Sequence, residues 1–253
     1  MVIPARDEEG PLEDTLRGLT AVLSRERIPY EIVVVDDGSS DDTLRCAERL
    51  ANENSGIKVV RNMGAHGFGM AIRCGLEHTA GDAVAIVMAD GSDNPGDLAT
   101  YYRKLLDGYD CVFGSRFISG AAVHDYPSHK LVLNRLANWF IKFLFRLPYN
   151  DITNAFKIYR RDVIQGMQPL ISPHFNLTVE MPLKAIVRGY TYAIVPISWT
   201  NRKTGISKLK IKEMGSRYLF IVMYLWLEKH LSRGDYHREL RRESHTKTTH
   251  LHA

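Results

Sequence analysis

Three cysteines in 253 residues, Cys46, Cys74 and Cys111, are too few, too scattered and odd in number. No two stand at metal-ligand spacing, which argues against a disulfide framework or a cysteine zinc site and fits a reducing compartment. Long apolar runs are also missing: none reaches the roughly 18–20 residues that crossing a bilayer takes. No secretory signal pattern is visible at the start. Charge of one sign is lacking too. Thirty-three Lys and Arg against 29 Asp and Glu leave a net charge of +4, so the total does not mark a nucleic-acid binder. The dinucleotide fingerprint Gly-x-Gly-x-x-Gly is absent as well; Gly64, Gly67 and Gly69 have another spacing and follow the third strand rather than the first.

What the chain does have is an alternation of short apolar strands and amphipathic helices. Residues 31–43 read EIVVVDDGSSDDT. Four β-branched residues, Ile32, Val33, Val34 and Val35, predict a strand buried on both faces of a parallel sheet. It stops at Asp36, Asp37 and Gly38, and Ser40 stands where an N-cap would open the next helix. Further strands are expected at 2–4, 57–60, 83–88, 111–113, 151–159 and 190–197. Helices are expected from Pro11, from about Met70, from Pro95, over 130–147 and over 176–187. Repeated strand–helix units predict a doubly wound, mostly parallel sheet.

The chemistry gathers at strand ends. Asp36 and Asp37 lie on the edge where open α/β sheets bind ligands and can accept hydrogen bonds from a base or ribose. A second acidic turn, residues 89–95 (ADGSDNP), belongs to the same edge. Two such clusters together can hold a divalent cation against a diphosphate, because hard cations take oxygen ligands. Residues 201–212 (NRKTGISKLKIK) hold five basic side chains around one glycine. The apolar stretch 218–227 after them, and Trp139, Phe140, Phe143 and Phe145 in the 130–147 helix, fit either a core or a helix lying in a headgroup layer. Residues 232–253 are polar and basic, which predicts a disordered tail despite its histidines.

In this order, residues 2–8 (VIPARDE), 34–39 (VVDDGS), the turn at Asp90, 114–117 (GSRF) and 202–209 (RKTGISKL) resemble the inverting family 2 glycosyltransferases, and within them the polyprenyl-phosphate branch. The resemblance covers about residues 1–231. It implies an α/β GT-A fold: a Rossmann-like, mostly parallel sheet flanked by helices, with C-terminal amphipathic interfacial helices near 130–147 and 210–231. Many members carry two C-terminal transmembrane helices; the chain resembles the shorter ones. By the same resemblance Pro4, Ala5, Asp7, Glu8, Asp36 and Asp37 border the nucleotide sugar. Asp90 binds Mg²⁺ or Mn²⁺, and Arg116, Arg135, Arg202, Ser207 and Lys208 gather around the acceptor phosphate and the diphosphate. The family's Asp-x-Asp is irregular here: carboxylates at Asp90 and Asp93 stand three apart, and either Asp93 or Ser92 completes the metal set, with Asp93 the stronger oxygen donor.

The implied reaction moves a sugar from a nucleotide diphosphate, GDP-mannose before a UDP-sugar, to a polyprenyl or dolichyl phosphate with inversion. It would run at the cytoplasmic face of a membrane, to which the protein attaches peripherally. A lipid phosphate is already ionised and needs no base, only positioning by cations. A sugar hydroxyl acceptor would need one, and Glu180 is then the candidate, unless it pairs with Lys184 one helical turn on. A nucleotide-binding module without catalysis is the remaining alternative.

Overall fold

The computed structural model describes residues 1–202 and 211–238, without the side chains of 211–214. The chain runs β1 (Val2–Ala5), α1 (Glu9–Arg25), β2 (Ile32–Asp36), α2 (Thr43–Glu53), β3 (Ile57–Arg61), α3 (Phe68–Glu77), β4 (Ala83–Ile86), α4 (Pro95–Leu106) and β5 (Cys111–Ser115). It continues through β6 (Ala122–His124), α5 (Ser128–Phe145), β7 (Lys157–Arg160), α6 (Arg161–Gly166), α7 (Leu177–Val187), β8 (Tyr192–Pro196), β9 (Ser198–Thr200) and α8 (Ile211–Leu231). Seven strands form one sheet in the order β3-β2-β1-β4-β7-β5-β8; β6 and β9 form a small parallel pair apart from it. Only β7 runs against its neighbours, β4 and β5. The mostly parallel α/β expectation therefore holds.

Alternation along β2 sends Ile32 and Val34 to one core and Val33 and Val35 to the other. The first core lies under α1, α2 and α4, with Leu12, Leu16, Leu19 and Leu23 of α1 fully covered. The second is filled from α3, α5, α6, α7 and α8. β1 is central: the chain steps outward through β2 and β3, then returns to β4 on the other side of β1. That reversal opens a crevice beyond the carboxyl ends of β1 and β4, the place where sheets of this kind bind ligands.

Several expectations are corrected. Ser40 caps nothing: α2 begins at Thr43, and the Ser40 N–H and hydroxyl both donate to Asp7 Oδ1, at 2.7 and 3.0 Å. Only the end of 151–159, from Lys157 on, is strand, because the polar groups of Asp151 and Asn154 turn inward to buried partners before β7 starts. The 190–197 strand is present as β8, and a further short strand that was not expected, β9, follows it and pairs away from the main sheet with β6. The first part of the supposed tail is not disordered either. Residues 232–238 turn back so that the Arg238 N–H donates to the Arg188 carbonyl at 2.9 Å and its guanidinium pairs with Asp110. Residues 239–253 lie outside the described residues.

Candidate active site

On the β1 side of the crevice stand Ala5, buried, and Pro4, Asp7 and Glu8, half-buried. Asp7 takes a left-handed φ of 49° so that its carboxylate meets Ser40 while its own N–H donates to Ser39 Oγ at 3.1 Å. The loop after β1 is thus tied to the loop after β2. On the β4 side the acidic turn folds on itself: Ser92 N–H donates to Asp90 Oδ1 at 3.1 Å, and Met88 N–H donates to Asp93 Oδ2 at 3.3 Å. β9 is stitched along this turn, with Thr200 N–H on the Ser92 carbonyl at 3.0 Å and Asn94 N–H on the Ser198 carbonyl at 3.3 Å. Two residues beyond β9, Arg202 therefore hangs over the crevice. Its Nη2 lies 2.6 Å from Asp90 Oδ2 and its Nη1 lies 3.2 Å from Glu8 Oε1. Lys208 and Ser207 lie outside the described residues.

Asp93 is 8% exposed, and its carboxyl is pushed up to about 7 by burial first and by the charge of Asp90 second. Such a pair of acids attracts a cation. Among the described residues no cluster of three or more His, Cys, Asp or Glu side chains could enclose a metal. The protein offers two carboxylates at one turn. That donor set fits Mg²⁺ or Mn²⁺, which keep waters and take substrate phosphate oxygens as their remaining ligands.

Other expected site residues are engaged elsewhere. Asp37 is 4% exposed and accepts from Asn62 Nδ2 at 2.7 Å and Gly67 N–H at 2.8 Å, with His66 Nδ1 at 3.2 Å. It clamps the β3–α3 loop onto β2 and has little left for a base. Asp36 Oδ1 accepts from Ser39 N–H at 3.2 Å, closing its own turn. The spaced glycines are no phosphate cradle: Gly69 and Met70 N–H groups donate to the Pro173 carbonyl, and a Cβ on Gly69 would stand 2.2 Å from the Ser172 carbonyl oxygen.

Arg116 is no open anion site. It is 8% exposed and forms a two-pronged pair with Asp151, Nε to Oδ2 at 2.9 Å and Nη2 to Oδ1 at 2.8 Å. Burial opposes its charge, but the charge and hydrogen bonds of Asp151 outweigh that and hold its pKa above the ordinary value. The guanidinium also sits 5.3–5.5 Å from the rings of Phe117, Tyr126 and Trp199, so it supports the aromatic wall beside β9. Arg135, exposed on α5, stacks over Phe117 at 4.4 Å. Glu180 is fully buried, 2.7 Å from Lys184 Nζ, and accepts from the Ile171 and Ser172 N–H groups at 2.8 and 2.7 Å. It cannot reach an acceptor hydroxyl.

Sequence reasoning missed Asp151 and Asn62. Asp151 was hidden inside a segment read as strand, although an Asp beside Asn150 and Asn154 is a turn signal. Asn62, directly after β3 and two before Gly64, carries a similar signal.

A seven-stranded sheet with acidic turns at the carboxyl ends of β2 and β4 around a central crevice defines a GT-A nucleotide-sugar fold. The model of the family Glycosyl transferase family 2 matches residues 1–167, and the chain belongs to that family; it is a glycosyltransferase. It is 30% identical over 236 residues to a polyprenol monophosphomannose synthase of Mycolicibacterium smegmatis, covering 83% of this chain and 89% of the relative. It is 28% identical over 218 residues to a dolichol-phosphate mannosyltransferase of Pyrococcus furiosus, covering 84% of this chain and 59% of that longer protein. The fold is shared with glucosyl-3-phosphoglycerate synthase of Mycobacterium tuberculosis, crystallised with Mn²⁺, uridine diphosphate and phosphoglyceric acid, at a TM-score of 0.67 and 19% identity over 90% of this chain and 76% of that one.

Proposed function

We propose that the protein transfers a hexose, with mannose from GDP-mannose as first choice, to a polyprenyl phosphate with inversion at the anomeric carbon. The observation that carries the reading is the crevice between β1 and β4, where the carboxylates of the acidic turn and the Arg202 guanidinium meet, while Glu180, the candidate base for a hydroxyl acceptor, is buried against Lys184. Similarity to the mycobacterial polyprenol monophosphomannose synthase supports both sugar and acceptor. Asp90 and Asp93 would hold Mg²⁺ or Mn²⁺, which when bound supplies positive charge at the leaving diphosphate. Pro4, Ala5, Asp7 and Glu8 line the donor side. Arg202, with Lys208 and Ser207 following it in sequence, binds phosphate oxygens of acceptor and leaving group. The acceptor oxygen is ionised at neutral pH, so the residues position it and mask its charge without taking a proton. Arg116 acts as a positioning residue, through Asp151 and the rings it supports, and Arg135 adds charge at the rim.

Membrane contact belongs to the same reading. Among the described residues no helix is long and apolar enough to cross a membrane. Yet α5 exposes Trp139, Phe140 and Phe143, and α8 exposes Leu219, Phe220 and Leu227. The two helices touch, and Lys142 and Arg146 stand beside the exposed rings of α5; exposed apolar side chains with cations next to them suit the boundary where a lipid phosphate is found.

The test is a matrix of labelled GDP- and UDP-sugars against polyprenyl phosphate and polyprenol, with Mn²⁺. Transfer to the phosphate and none to the alcohol is expected. Glu180→Gln should keep most turnover per folded molecule. Transfer to polyprenol or to a sugar hydroxyl, lost in Glu180→Gln, would overturn the reading.

A further inference from the structure

Arg202 does more than wait for an anion. Its guanidinium spans the crevice, one nitrogen on Glu8 from the β1 side and the other on Asp90 from the β4 side. Asp90 has its Oδ1 turned to the Ser92 N–H, so Oδ2 is the oxygen open to a second partner, and Arg202 holds it. The side chains of Arg202, Asp90 and Glu8 are 17%, 8% and 11% exposed. At that burial the pairs are poorly screened and stronger than surface ion pairs.

We propose that Arg202 is a partner-exchanging gate: paired with Asp90 and Glu8 it keeps a divalent cation off Asp90, and it yields that carboxylate when a nucleoside diphosphate offers its guanidinium phosphate oxygens instead. The proposal rests on the reading above that Asp90 is a metal ligand. A guanidinium and a divalent cation cannot share one carboxylate oxygen at contact without strong repulsion. A diphosphate suits the planar fork as well as a carboxylate does, so the exchange conserves the hydrogen bonds of Arg202. The backbone need not travel. Thr200 N–H on the Ser92 carbonyl and Asn201 N–H on the His124 carbonyl, both at 3.0 Å, keep the start of Arg202 fixed while its side chain changes partners. Metal and nucleotide then bind with positive coupling, part of which passes through Arg202, and linkage makes that coupling reciprocal.

The experiment is a titration of Mn²⁺ followed by the electron paramagnetic resonance signal of the free ion, with and without GDP or UDP. Wild type, Arg202→Ala and Asp90→Asn are compared, after thermal melts establish that each is folded. Wild type should bind Mn²⁺ alone weakly and gain strongly when nucleotide is added. Arg202→Ala should bind Mn²⁺ alone about tenfold more tightly, the scale expected for freeing a charge-assisted hydrogen bond. Its gain on adding nucleotide should be smaller. Mn²⁺ binding to Arg202→Ala no tighter than to wild type overturns the gate while leaving the metal assignment intact, provided Asp90→Asn abolishes binding. Undiminished binding by an Asp90→Asn, Arg202→Ala double variant would remove the metal from Asp90 and the gate with it.

Discussion

Asp90 and Asp151 show two fates of a carboxylate at a strand end. Asp90 faces a crevice and holds one oxygen toward Arg202; Asp151 is fully buried and given wholly to Arg116. Replacing Asp90 by Asn keeps size but removes the charge and one of its two acceptor oxygens, so transfer should fall on the order of a hundredfold or more, as it does when a group stabilising the leaving charge is lost. A melt unchanged by more than a few degrees, with steady-state rates in Mn²⁺ and in EDTA, checks this; full activity of the variant in EDTA would remove the metal from the reaction. Asp151→Asn should act on stability instead. It strands the buried Arg116 guanidinium, at a cost of about 3–5 kcal/mol in urea unfolding, whereas a double change to Arg116→Met and Asp151→Leu should recover much of that loss. The helical spacing of Glu180 and Lys184 made their pairing readable from sequence, but not its burial. A four-residue interval fixes who can touch, while coverage comes from α8 and the 169–172 segment, distant in the chain.

Among the elements, those with a strong local pattern were legible and those defined by distant partners were not. β2 is a run of β-branched residues and α1 a clean apolar stripe, and both appear within two residues of expectation. β9 has three residues and exists because Ser198, Trp199 and Thr200 find β6 and the acidic turn, which no local propensity announces. α5 and α8 were legible as apolar helices, though not as exposed or covered. The structure divides each: Ile141 and Phe145, Ile221 and Leu225 go inward, while Trp139, Phe143, Phe220 and Leu231 stay out. Burying such side chains in a headgroup layer yields about 1.5–3 kcal/mol each, and each nearby cation adds about 1 kcal/mol on an anionic surface. Co-sedimentation with anionic liposomes should therefore weaken with salt, and weaken further in a Trp139→Ser, Phe220→Ser variant whose melting point is unchanged. Binding indifferent to both would make this face a contact between protein chains.

At the scale of the whole molecule, both acidic turns were readable as lying at one edge because β2 and β4 run parallel, a direction that β-α alternation predicts although it does not predict the strand order. The division of labour within them was not readable: Asp36 and Asp37 look alike in sequence, yet Asp37 is engaged by a loop 25–30 residues later. The same limit hid Lys157. It sits on β7, fully buried between the two halves of the sheet, with its ammonium donating to the carbonyls of Ile152 at 2.9 Å and Thr178 at 3.3 Å and to that of Asn154. Burial lowers its pKa to about 7; the charges of Asp151 and Asp93 push the other way, and that of Arg116 reinforces the lowering. In the unfolded chain the ordinary value is about 10.4. Between these two values the unfolded state binds the extra proton, so the contribution of this group to stability rises with pH from about 7 to about 10.4 and is flat below, where both states are protonated and the burial of charge weighs in full. Other groups titrate in the same range, so the measurement is a difference: urea unfolding of wild type and Lys157→Met at steps from pH 6 to 10. The stability of wild type relative to Lys157→Met should climb across the upper part of that range and stay level below pH 7. A difference that is constant throughout would mean that the three carbonyls keep Lys157 charged in the fold at every pH tested.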